Sequence, residues 1–164
     1  MAMQTTTKGI EKILARLNGE FVGIQNRSDK GLIMVAAYLR KDMEVVIPTT
    51  PVDYGNLKAS WFVTSSGKLS AGGGDVGKMF KGPQAARVAT EHPGVVARAK
   101  AELPSGKHMN AISMGYTAFY AWWVHEAVDK TFHKPGSGPQ WFEAALKRNQ
   151  KKIVEIVRAN AKIQ

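Results

Sequence analysis

Residues 47–66 read IPTTPVDYGNLKASWFVTSS, and the fold turns on them. Upstream, Leu32, Val35, Ala36, Leu39, Met43 and Val46 recur at helical spacing, with Arg40, Lys41 and Glu44 off the stripe. Pro48 and Pro51 end that helix, because proline pushes the residue before it out of helical backbone space. Downstream, Trp61, Phe62, Val63 and Thr64 are strand formers bounded by Ser65-Ser66-Gly67. Between them, Pro51-Val52-Asp53-Tyr54-Gly55 reads as a turn. The proline fixes φ, the Asp53 side chain closes the turn on backbone N–H groups, and Gly55 takes positive φ. Helical runs followed by short strands predict an α+β fold. It should hold a small antiparallel sheet, with N-terminal helices and a long C-terminal helix packed on it.

Working outward, an earlier helix carries Ile10, Ile13, Leu14, Leu17 and Phe21 on one face, with Asn18-Gly19 as an early stop. The second helix is expected from Ser28 or Asp29. Residues 67–83 are glycine-rich and carry Lys68, Lys78 and Lys81, so a flexible basic loop or hairpin arm is expected there. Residues 84–102 suggest a short helix broken near His92-Pro93-Gly94. Residues 107–116 read as a strand, with Ile112 and Met114 on one face. Residues 117–127 are dense in aromatics and read as a helix, and 133–139 as a Pro/Gly/Ser loop. From Pro139 onward, Phe142, Leu146, Ile153, Val157 and Ile163 keep one face apolar, with basic residues around them. Pro139 suits the first turn of that helix, and Glu143 suits its positive end.

Composition limits the chemistry. The 164 residues fit one domain, and 44% apolar with 22% charged residues is a globular balance. The net charge of +10 favours acidic partners such as nucleic acid or an acidic protein face. The absence of cysteine removes disulfides, thiol nucleophiles and Cys-ligated metals. No apolar run reaches the roughly 18 residues of a membrane span, so no membrane partner is expected. Met1–Thr7 lacks the basic-then-apolar pattern of a signal peptide, and a cytoplasmic origin is expected.

The motifs for catalysis or cofactors are incomplete. Gly72-Gly73-Gly74-Asp75-Val76-Gly77-Lys78 fits seven positions of a phosphate-binding loop, but Met79 stands where Ser or Thr must hold magnesium. His125-Glu126 opens like a zinc-protease helix, yet Asp129 occupies the second histidine's position. Asp53, Glu126 and Asp129 are candidate paired acids that nothing in the sequence brings together. No catalytic residue, cofactor or metal is therefore expected.

Three patterns in order carry a resemblance. They are Pro51-Val52-Asp53-x-Gly55-x-Leu57-x-x-Ser60, then Tyr120-Ala121-Trp122-Trp123-Val124-His125-Glu126, then Pro139-Gln140-Trp141-Phe142 opening the terminal helix. Together they resemble the tail-component family of tailed bacteriophages typified by HK-ninety-seven gene product ten. Tyr54 and Lys58 replace the family's usual threonine and arginine, and Ala127 stands where a glycine is common. The resemblance implies one tail-component-like domain over 1–164. It implies a structural virion protein, not an enzyme, that forms a homo-oligomeric ring of six- or twelve-fold symmetry at the neck. Such a connector, tail-completion or tail-terminator ring joins the DNA-filled head to the tail, in contact with neighbouring neck or tail-tube proteins and near packaged DNA. Assembly would take place in the host bacterial cytoplasm. In that reading Pro51, Val52, Asp53, Gly55, Leu57 and Ser60 build a structural corner. Tyr120, Trp122, Trp123, His125, Glu126, Trp141 and Phe142 serve packing or interfaces, and Lys68, Lys78 and Lys81 sit on an arm. The alternative is a small basic nucleic-acid-binding protein.

Overall fold

The computed structural model describes residues 8–67, 70–71, 80–104 and 110–162. Helix α1 (Lys8–Val45) leads through a turn to the short α2 (Asn56–Ala59) and strand β1 (Trp61–Ser65). Strand β2 (Ser70–Ala71), helix α3 (Ala85–Ala101), strand β3 (Ile112–Tyr116), the short α4 (Ala121–His125) and α5 (Trp141–Ala161) follow. The fold is α+β, and its long helices lie at the two ends of the chain.

The three strands form an antiparallel sheet in the order β2-β1-β3. Trp61, Val63 and Ser65 sit opposite Tyr116, Met114 and Ile112. Side chains alternate along a strand, so these six share one face. That face meets α1. Arg40 lies over the Trp61 ring at 4.7 Å, the Ser65 hydroxyl donates to Asp29 at 3.0 Å, and the Tyr116 hydroxyl reaches the Met43 sulfur at 3.7 Å. Val35, Ala36, Leu39 and Met43 of α1 are fully buried here with Val63, Trp141 and Ala145. Each large aliphatic side chain so buried contributes roughly 1.5–3 kcal/mol.

Helix α5 runs antiparallel to α1. The Arg148 guanidinium pairs with Asp42, Tyr38 donates to Asn149 at 3.2 Å, and Gly31 lies against Val157 and Asn160. The inner face of α5 is Trp141, Ala145 and Asn149, supported by Phe142, Ile153, Ile156 and Val157. Leu146 lies at the exposed edge of this face, because the buried stripe is centred on Trp141, Ala145 and Asn149 to one side of it. Pro139 precedes the helix, and Gln140 at φ 51° forms its cap.

The N-terminal stretch departs from the expected pair of helices. Residues 8–45 form one helix without a break at Asn18-Gly19 or Ser28. The reason is phase. Leu14, Leu17 and Phe21 recur 18 residues later as Leu32, Val35 and Leu39, about five helical turns on, so both stripes share one face. Gly19 stands on the opposite side of the helix, and a glycine inside a helix costs only about 1 kcal/mol. Helix α3 likewise continues through Pro93, with buried Val88 and His92 anchoring the turns just before it. Only Ala121–His125 of the expected 117–127 helix forms; of the expected 107–116 strand, Ile112–Tyr116 forms and 107–109 lie outside the described residues. Strand β2 pairs antiparallel with β1, Ser70 opposite Thr64 and Ala71 opposite Val63. Residues 68–69 and 72–79, with Lys68 and Lys78, lie outside the described residues.

Candidate functional site

The Pro-Val-Asp turn leaves the buried end of α1 at Thr50. The Thr50 backbone N–H and hydroxyl both donate to the Met43 carbonyl, at 2.8 and 3.2 Å. Gly55 at φ 86° then starts α2, a conformation that admits glycine without strain. Ser60, fully buried, closes α2 by donating to the Leu57 carbonyl at 2.8 Å. Pro51, Val52, Asp53, Gly55, Leu57 and Ser60 lie in the bend between α1 and β1, but among the described residues the Asp53 carboxylate accepts no hydrogen bond from the turn's backbone, so Gly55 and Ser60 set its geometry instead.

Asn56 is a residue that sequence reasoning missed. Its amide donates to the Lys81 carbonyl at 2.6 Å and accepts from the Lys81 N–H at 2.7 Å. This two-way clamp pins the end of the 67–83 segment, and with it Phe80 and Pro83, onto the turn. The signal was a short amide side chain directly after the turn glycine, but its partner 25 residues away was not readable.

The second motif lands beside the first. Phe119, Tyr120 and Val124 form one wall of a cleft whose opposite wall is Pro51–Leu57, closed by Pro83, Gln84 and Thr131–His133. The cleft encloses about 460 Å³, within the range of ligand pockets, and its lining is mainly apolar. Burial, with the Asp53 charge nearby, pushes the Tyr120 hydroxyl above its ordinary pKa. Both effects favour the neutral phenol, so Asp53 supplies the negative charge of the cleft.

The remaining aromatics divide. Trp141 is buried and meets the rings of Tyr116 and His125 edge-on, at 6.0 and 4.8 Å. His125 Nδ1–H donates to Glu126 at 2.7 Å, so this histidine is a packed neighbour of Trp141. Trp122 and Trp123 stand on the same short helix but are 67% and 75% exposed. Val128 beside them is also exposed.

Among the described residues no hydrogen bond pairs a nucleophile with a base in the cleft, and no group of three His, Asp or Glu is placed to hold a metal ion. Asp53 lies in the cleft without Glu126 or Asp129 among its lining residues, so the three acids do not gather. Among the described residues no helix is long and apolar enough to cross a membrane. No family model, curated protein or solved structure matches the chain.

Proposed function

We propose that the chain is a structural virion subunit of a tailed bacteriophage. It forms a ring at the head–tail junction, as a neck, tail-completion or tail-terminator component, and carries out no catalysis. The order of the three sequence motifs supports the family reading. One structural observation carries the ring reading. The subunit exposes two apolar surfaces at opposite ends of α1. One is the N-terminal half of α1 itself, with Ile13, Leu14 and Leu17 more than half exposed. The other lies next to the buried end of α1 at Met43: the cleft, and beside it Trp122 and Trp123, exposed on the helix whose Tyr120 and Val124 line the cleft.

Leu17 and Met43 are about 39 Å apart along the helix. Two different patches so far apart suit a head-to-tail contact, the kind that closes into rings. Native mass spectrometry of the purified chain, with electron microscopy, tests this. A single ring mass is expected, and a monomer at every concentration overturns the reading. In the ring, Lys68, Lys78 and Lys81 belong to a segment directed at a neighbouring subunit or the next ring. Deleting residues 70–80 should then leave particles without joined tails.

The nucleic-acid alternative rests on the outward face of α5, where Lys151, Arg158 and Lys162 border a shallow depression. Against it, Lys147, Arg148 and Lys152 are already engaged by Glu143, Asp42 and Glu155. Salt-dependent retention of the monomer on DNA would favour the alternative.

A further inference from the structure

The cleft between the Pro51–Leu57 wall and Tyr120 offers three kinds of contact that the fold does not use. The first is main chain. Val52, Asp53 and Tyr54 lie outside helix and strand, and among the described residues their backbone groups make no hydrogen bond. The same is true of Thr131 and Phe132 on the far side. The second is aromatic. Tyr54, Phe119, Tyr120 and Phe132 all line the cleft. Tyr54 rests against Gly82, where a Cβ would lie 2.7 Å from its ring, and Phe119 meets Tyr120 edge-on at 5.2 Å. The third is charge. Among the described residues Asp53 is the one carboxylate on the lining, no lysine or arginine lines the cleft to neutralise it, and it makes no hydrogen bond or ion pair. Arg87, from outside the cleft, shows that this wall takes a guanidinium. It lies over the Phe119 ring at 3.7 Å, and Glu91 meets its charge at 2.8 Å.

We infer that the cleft binds an extended segment of a partner protein that presents one arginine, with the guanidinium on Asp53 among the aromatic rings and the segment's main chain along residues 52–54. A planar guanidinium meets a carboxylate with two parallel N–H bonds and stacks on rings, which an ammonium group does not do. An extended peptide supplies main-chain donors and acceptors to a wall whose own are unmatched. The cleft encloses about 460 Å³, more than one side chain fills, so apolar residues beside the arginine occupy the rest against Val52, Leu57 and Val124. The net charge of +10 repels a polybasic segment, so a single cation opposite a single carboxylate is the match.

What the cleft recognises is independent of copy number, so this inference goes beyond the ring reading: its test reads peptide affinity, and the ring is read by mass. The peptide acetyl-Val-Leu-Arg-Leu-Val-amide, carrying a neutral fluorophore, is titrated with the full-length chain and followed by anisotropy. A second peptide carries citrulline for arginine, which keeps the shape and loses the charge. The citrulline peptide should bind about tenfold more weakly, the loss expected for a hydrogen bond to a charged group. Asp53→Asn should weaken the arginine peptide to the same degree and leave the citrulline peptide unchanged. Asp53 is exposed and unpaired, so this variant keeps its fold, which circular dichroism checks.

Equal binding of the two peptides to the unaltered chain means a plain apolar groove and overturns the inference. So does discrimination that survives Asp53→Asn, which puts the arginine at a different surface. A lysine peptide that binds as tightly as the arginine peptide overturns the guanidinium assignment. Butylguanidinium that binds as tightly as the whole peptide makes the cleft a site for a small cation and removes the partner segment. Absence of binding by the arginine peptide overturns the inference and leaves the ring reading where it stands.

Discussion

His92 shows how one buried side chain couples stability to pH. It is 3% exposed, and its Nδ1 lies 2.6 Å from the Thr117 hydroxyl. That hydroxyl donates its only proton to the Ser60 carbonyl at 3.3 Å, so Nδ1–H is the donor to Thr117. Burial lowers the His92 pKa below 6.5 in the folded chain. As pH falls below 6.5 the unfolded chain takes up a proton that the folded chain resists, and stability is lost. The urea midpoint should therefore be lower at pH 5 than at pH 7.5. His92→Asn, which keeps a donor for Thr117, should flatten that dependence, and an unchanged slope would refute the assignment. Gly67 is the second sensitive position. A Cβ there would lie 2.5 Å from Asp29 Oδ2, and Asp29 is itself 4% exposed and held by Ser65. Gly67→Ala should cost about 1–3 kcal/mol in chemical denaturation, as overpacking does. A loss within experimental error would mean that Asp29 gives way.

Two leucines on one face of α1 separate folding from assembly. Leu39 is 1% exposed and Leu17 is 51% exposed. Leu39→Ala should destabilise the monomer by about 2–5 kcal/mol, whereas Leu17→Ala should change it by no more than about 0.5 kcal/mol. Equal losses measured in dilute, monomeric protein would mean that Leu17 packs within the monomer and is not an assembly residue. The same contrast explains what was legible in the sequence. The Leu32–Met43 stripe, the strand at Trp61 and the terminal helix were readable, because local periodicity alone dictates them. The single α1 was not, because Asn18-Gly19 is a local stop signal while the shared phase of two stripes is a property of 18 residues. Helix α3 was misread at Pro93 for a related reason. Its stability comes from Val88 and His92 packing, which a breaker count does not register. The Pro51–Ser60 corner was readable from turn chemistry. Its meeting with Tyr120 and Val124 across one cleft was not, since only tertiary structure joins residues more than 60 positions apart. Asn56 was hidden in the same way by its distant partner Lys81.

At the scale of the whole molecule, assembly and nucleic-acid binding predict different thermal behaviour. Assembly into a ring binds the folded chain and not the unfolded one, so it raises apparent stability by mass action. At 100 times the dissociation constant the gain is about 2.7 kcal/mol. For a chain of this length 1 kcal/mol moves Tm by about 2–4 °C, so Tm should rise by roughly 5–10 °C between dilute and concentrated protein. Leu17→Glu, on the exposed apolar face of α1, should remove that rise, and should not move the Tm of the dilute monomer much, since Leu17 is exposed. A nucleic-acid-binding chain would behave otherwise. Its Tm would be indifferent to its own concentration, would rise with added DNA, and would lose that rise steeply with salt as phosphate contacts release counterions. Scanning calorimetry at two protein concentrations, with and without duplex DNA and at two salt levels, separates the two. A concentration-independent Tm with a salt-sensitive gain from DNA would replace the ring with the basic face of α5 as the working surface.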